Sequence, residues 1–135
     1  ASALGAGLVF VLLLPWISGV ALTAARSRTP LRIGALLAGL RHPRRLGGIV
    51  GLSGYLPLAS TLAAERSAAN ADVPVFIAHG RHDDVVNIAR GQHARDALID
   101  LGYPVQWHDY AMPHSVCAEE VSDLNAWLLT TLGAR

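Results

Sequence analysis

PVFIAHGRHDDVVNIARGQHARDALIDLGYPVQWHDYAMPH, residues 74–114, decides the fold. Pro74 to His79 is an apolar run with β-branched members, closed by Gly80, and reads as a buried strand. Asn87 stands where an N-cap belongs, ahead of a helix running to Leu101 with Ala94, Ala97, Leu98 and Leu101 on its inner face. Gly102 sits where a helix-ending glycine is favoured. Val105 to Tyr110 then reads as a further strand, shorter and more alternating.

The pattern continues outward in both directions. Gly47 to Ser53 is another short buried strand, followed by the loop Gly54–Pro57 and then a helix or loop before Pro74. On the other side, Ala118 to Leu132 is a helix with Glu119 and Glu120 in its first turn, where carboxylates suit the helix dipole. Val121, Leu124, Ala126, Trp127 and Leu128 supply its expected core stripe. Strands alternating with helices predict an α/β fold, a mostly parallel sheet covered on both faces. In such sheets ligands bind outside the carboxyl ends of the strands. His79, His82, Asp83 and Asp84 follow one strand there, and His114 follows the next.

Composition narrows the class. The chain has 135 residues, 52% hydrophobic and 16% charged, which suits one folded domain and excludes intrinsic disorder. Cys117 is the single cysteine, so neither a disulfide scaffold nor a zinc ribbon fits. All eleven basic residues are arginine, and the formal net charge is +1. The charge is unevenly spread. Residues 1–25 carry none, residues 26–45 carry six arginines and no acid, and residues 46–135 carry five arginines and all ten acids.

Residues 1–25 are apolar enough to cross a bilayer, and the arginines that follow fit a cytoplasmic flank. A buried strand and helix of a larger sheet is the alternative. From Arg26 to Arg45 no aromatic residues interleave with the basic ones, which argues against a nucleic-acid surface. Ile33, Leu36, Leu37 and Leu40 recur at helical spacing, predicting a helix with a solvated basic face that ends at His42, before Pro43. The expected organisation is an apolar, then arginine-rich segment over 1–32 and an α/β unit over 33–135.

A carboxylate after one strand and a histidine after a later one can form the back half of a catalytic triad, the acid orienting the imidazole that takes a proton from a nucleophile. The order acid then histidine is that of the α/β-hydrolases. The segments GGIVGLSGYLPL, PVFIAHGRHDDVV and LGYPVQWHDYAMPHSVCAEEVSDLNAWL resemble the C-terminal half of the phospholipase/carboxylesterase family, α/β-hydrolases that include the acyl-protein thioesterases. The resemblance runs from about Ile33 to Leu132. It implies a partial α/β-hydrolase fold preceded by an unrelated apolar segment.

Carried over by resemblance, the family's acid falls on Asp83 and its histidine on His114, with Asp84 a neighbour of the acid. The loop Leu52–Pro57 resembles the one bordering the acyl pocket, so Ser53, Tyr55 and Leu56 are the expected pocket residues. The family's Gly-x-Ser-x-Gly elbow is not found. Its serine position falls on Thr29, the flanking glycine positions fall on Ser27 and Leu31, and Pro30, which lacks an N–H, stands where an oxyanion donor is needed. Ser18 also lacks the flanking glycines, since Trp16 and Val20 hold those positions. A shifted reading of a parent gene, or an apolar anchor replacing the front half, would each produce such a chain.

The remaining residues have plainer readings. His79 is expected to be a structural strand-end histidine, His82 solvent-exposed, Cys117 a small packing residue, and Trp107 and Trp127 core. A metal site built from His79, His82, Asp83, Asp84, His108 and His114 matches no zinc spacing. The resemblance implies hydrolysis of carboxylic esters or thioesters through an acyl-enzyme, with a small acyl substrate, no cofactor, no metal and no nucleic-acid partner. The expected location is the cytoplasm, and self-association to a homodimer is the expected assembly. The rival reading is a non-catalytic hydrolase-like interaction module, held at a membrane by residues 1–25.

Overall fold

A computed structural model describes residues 9–12 and 35–133. Among the described residues, four parallel strands form one sheet in the order β1 (Val9–Leu12), β2 (Gly48–Leu52), β3 (Val75–Gly80), β4 (Val105–Tyr110). The helices are α1 (Ala35–Leu40), α2 (Ala59–Glu65), α3 (Ile88–Asp100) and α4 (Ala118–Gly133), with a short 3₁₀ turn at Ala68–Asn70. Strand β1 lies inside the apolar N-terminal run, so this part of it is a sheet strand paired with β2. The rest of residues 1–25, together with Ser18, Thr29 and the residues around Thr29, lies outside the described residues. No helix among the described residues is long and apolar enough to cross a membrane.

Strands β2 and β3 are buried at every position, because helices cover both faces of the sheet. Alternate residues feed two cores. Ile49, Val75 and Ile77 point to one side and pack with Leu37 and Leu40 of α1, Leu62 of α2 and Leu98 of α3. Val50, Phe76 and Ala78 point to the other and pack with Trp127 of α4. Strand β4 is only partly buried, which explains its mixed sequence. Trp107 is accordingly a partly buried residue at the margin of the first core.

Helix α3 begins as its sequence predicts, with the Asn87 side chain accepting from the Ala89 N–H at 2.8 Å, and Gly102 follows its end with φ 86°. Helix α1 stops at Leu40, although the Arg41 and His42 N–H groups still bond to Leu37 and Gly39. Arg41 pairs with Glu65 and Arg45 with Asp72, so these two arginines of the basic stretch sit in ion pairs at the surface, while Arg26, Arg28 and Arg32 lie outside the described residues.

The α4 stripe differs from expectation. Val121 is 55% exposed and Ala126 is exposed too, while Glu120, Leu124, Trp127 and Leu128 face inward. Those four positions follow a single helical phase, i, i+4, i+7, i+8, which turns Val121 and Ala126 away and carries Glu120 into the interior.

Candidate active site

The site forms where β3 and β4 end. The β3–α3 and β4–α4 loops are joined by backbone hydrogen bonds: the Arg81 N–H donates to the Tyr110 carbonyl at 2.8 Å, and the His82 N–H to the Met112 carbonyl at 3.1 Å. Gly80 makes room for this crossing. A β-carbon there would stand 2.4 Å from the carbonyl oxygens of both Met112 and Pro113.

Asp83 and His114 meet across this junction. His114 Nδ1 lies 2.8 Å from Asp83 Oδ2, across a separation of 31 positions. Asp83 Oδ1 accepts the N–H groups of Val85 at 2.9 Å and Val86 at 2.8 Å. The acid is buried, and its partner imidazole keeps 15% of its side chain exposed. Burial works to raise the Asp83 pKa. The Val86 N–H, the His114 hydrogen bond, the Val85 N–H and the charge of His114 outweigh it, so the carboxyl is held below its ordinary value. With the carboxylate ionised, Nδ1 is the donor of the pair, and Nε2 makes no hydrogen bond among the described residues. An imidazole fixed at one nitrogen by a buried carboxylate, with the other presented at a sheet's carboxyl edge, is equipped to accept and return a proton.

The other expected residues fall around this pair. Asp84 and His82 are exposed on the acid loop. His108 points to the α4 side, stacked between Phe76 and Tyr110, with Nδ1 3.4 Å from Asp123. Cys117 packs against the second core. No group of three or more His, Cys, Asp or Glu side chains among the described residues is placed to hold a metal ion.

Ser53 is buried at the end of β2, with a left-handed backbone (φ 51°) and its N–H bonded to the Ala78 carbonyl. Tyr55 and Leu56 line a pocket of about 250 Å³ with Pro57, Ala59, Arg90, His93 and Ala94, whereas Ser53 is not among its lining residues. The Arg90 guanidinium lies 4.6 Å over the Tyr55 ring. Neither Arg90 nor His93 stood out in the sequence, because α3 reads as an ordinary solvated helix on that face.

The sequence profile of the phospholipase/carboxylesterase family matches residues 33–132. The chain belongs to the phospholipase/carboxylesterase family. Acyl-protein thioesterase 1 of Yarrowia lipolytica is 40% identical over 97 residues, which are 70% of this chain and 43% of that protein. Acyl-protein thioesterase 1 of Gibberella zeae is 41% identical over 97 residues, 70% of this chain and 41% of its own length. Among solved structures, esterase PE8 superposes with a TM-score of 0.67 at 32% identity, covering 72% of this chain and 44% of PE8. Acyl-protein thioesterase 2 of Zea mays superposes with a TM-score of 0.61 at 37% identity, covering 67% and 42%. The chain thus spans less than half the length of these family members.

Proposed function

We propose that this chain carries the acid–imidazole half of a serine-type hydrolase of carboxylic esters or thioesters, with His114 as the general acid–base, Asp83 as its orienting carboxylate, and Tyr55 and Leu56 in the wall of the acyl pocket. The observation that carries the reading is the 2.8 Å contact between His114 Nδ1 and the buried carboxylate of Asp83. In the proposed reaction a serine hydroxyl attacks the acyl carbonyl while His114 Nε2 takes its proton. The proton then passes to the departing alcohol or thiol, leaving an acyl-enzyme. Water attacks that ester, His114 again accepting the proton, and the acid product leaves with the serine restored. Leu56, Pro57, Ala59 and Ala94 give the pocket apolar lining for an acyl chain, beside Tyr55, Arg90 and His93.

The chain contains no Gly-x-Ser-x-Gly. The reading therefore includes a second element: this chain alone lacks the nucleophile and turns over little substrate. Two experiments separate the parts. The chain alone is assayed with p-nitrophenyl butyrate, and background rates are expected. Turnover that His114→Ala abolishes would reveal a nucleophile within these 135 residues and overturn the second element. In the other, residues 33–132 replace the matching part of the Yarrowia thioesterase, whose remaining part is expected, on this reading, to supply the serine. A folded hybrid that hydrolyses the ester and loses about 10⁴-fold in rate with His114→Ala supports the acid–base assignment. A folded hybrid with activity indifferent to His114 sinks it.

A further inference from the structure

His79 is the last side chain of β3 before Gly80, and it is fully buried. Its Nε2 lies 2.7 Å from the Val86 carbonyl oxygen. A carbonyl only accepts, so Nε2 carries a hydrogen and donates it. The same Nε2 stands 3.3 Å from Asp83 Oδ2, the oxygen that faces His114. Nδ1 has no hydrogen-bond partner among the described residues and is sealed from solvent. The ring occupies a slot between α3 and β4. A β-carbon on Gly91 would come within 2.6 Å of Nδ1, and the Trp107 ring stacks beside the imidazole at 6.4 Å between centroids.

We propose that His79 is a positioning residue, whose buried Nε2–H holds the Val86 carbonyl and borders Asp83 Oδ2, locking the acid turn so that the carboxylate meets His114. Val86 is central to this. Its N–H holds Asp83 Oδ1 while its carbonyl is held by His79, so one peptide residue links the imidazole to the far oxygen of the acid. Asp83 is therefore fixed at both oxygens: Oδ1 by two backbone donors, Oδ2 by His114 with His79 alongside. Releasing His79 frees the turn to rotate, and the carboxylate with it. Gly91 belongs to the same device, because any larger residue drives its β-carbon into the ring. The relevance to turnover rests on the hydrolase reading above. The clamp itself does not.

The test uses the chain as it stands, labelled with ¹⁵N, so that its outcome is independent of any hydrolysis assay. Long-range ¹H–¹⁵N spectra are expected to show His79 protonated at Nε2 and a low-field Nδ1 proton on His114. In His79→Leu the His114 low-field signal is expected to vanish, and amide exchange at Val85 and Val86 to quicken about tenfold, the loss of roughly one hydrogen bond. His79→Gln, which can place an amide donor near the former Nε2, is expected to restore the signal and most of the protection. Gly91→Ala is expected to weaken both without altering any group bonded to Asp83. Retention of the His114 signal and of Val85 and Val86 protection in folded His79→Leu would overturn the proposal, and so would equal losses in the Leu and Gln variants, which would mark a packing role alone. Should His79→Leu not fold, an unchanged signal in Gly91→Ala would count against the clamp equally. An inactive hybrid thioesterase with these spectra intact would remove the hydrolase reading and leave the clamp standing.

Discussion

The α-carbon of Gly80 lies beneath Pro113, so close that a β-carbon would stand 2.4 Å from the Pro113 carbonyl oxygen. This contact lets the loop carrying His114 cross the end of β3 and reach Asp83. Gly80→Ala must lift that loop, since the opposing atoms are backbone and have no rotamer to change. Overpacking of this kind costs about 1–3 kcal/mol. We expect a loss of that order in urea denaturation, accompanied by loss of the His114 low-field proton. A variant that keeps both stability and signal would show that the crossing tolerates a methyl group.

Asp83 makes a second prediction, in its pH dependence. Its carboxyl is held below the ordinary value of 3.8 in the folded chain despite burial, chiefly through the Val86 N–H, then His114 and the Val85 N–H. A group depressed in this way adds stability above its unfolded pKa and loses it as pH falls through the folded one. Wild-type stability should therefore decline below about pH 4, the Asp83 contribution being part of that decline. In Asp83→Asn the acid limb should be shallower, because the amide has no proton to gain. Identical slopes for the two proteins between pH 4 and pH 2, measured by urea denaturation, would show that Asp83 contributes nothing.

Much of this was legible beforehand because buried parallel strands leave unbroken apolar runs. Gly48–Leu52, Val75–Gly80 and Val105–Tyr110 end within a residue or so of the expected limits for that reason. Strand β1 was legible only as an alternative, since its four residues lie inside a 25-residue uncharged apolar run that is also long enough to cross a bilayer. The meeting of Asp83 with His114 could be anticipated from their shared edge of the sheet. The roles of Gly80 and Gly91 could not, because each is set by an atom from an element far away in sequence. Glu120 lies in the first turn of α4 as expected, but its burial was not legible. A first-turn carboxylate suits the helix dipole when solvated, and only the phase set by Leu124, Trp127 and Leu128 turns it inward.

Asn70 supplies a sharper stability test. It is fully buried, donates from Nδ2 to the carbonyls of His42 at 2.8 Å and Arg44 at 2.9 Å, and accepts from the Leu46 N–H at 2.8 Å. The side chain thus fixes the segment that enters β2. Asn70→Ala removes all three bonds at once, leaving the buried Leu46 N–H without that acceptor. We expect a cost of about 2–3 kcal/mol by urea denaturation. Arg45→Ala, which removes an exposed ion pair with Asp72 nearby, should cost less than about 1 kcal/mol. Equal effects from the two variants would refute the importance assigned to the amide.

Glu120 should make the fold less stable as pH rises from about 4.5 to about 7. It is fully buried, neither carboxyl oxygen has a hydrogen-bond partner among the described residues, and burial raises its pKa from 4.5 to about 7. An acid whose pKa is raised on folding favours the folded state when protonated. That contribution is complete below the unfolded value of 4.5 and disappears as pH climbs through about 7. The neighbouring Tyr110 and Cys117 do not supply a compensating cation, and Asp123, bonded to the Tyr110 hydroxyl, adds negative charge. The shift corresponds to at most roughly 3 kcal/mol between the two ends of the window. Glu120→Gln should therefore be more stable than wild type at pH 8 and close to it at pH 4.5, because only the wild-type side chain has to ionise in the interior. Thermal melts of both proteins at the two pH values check this. A wild-type advantage at pH 8 would mean that the ionised carboxylate is held by a favourable interaction in the fold, reversing the sign argued from its burial.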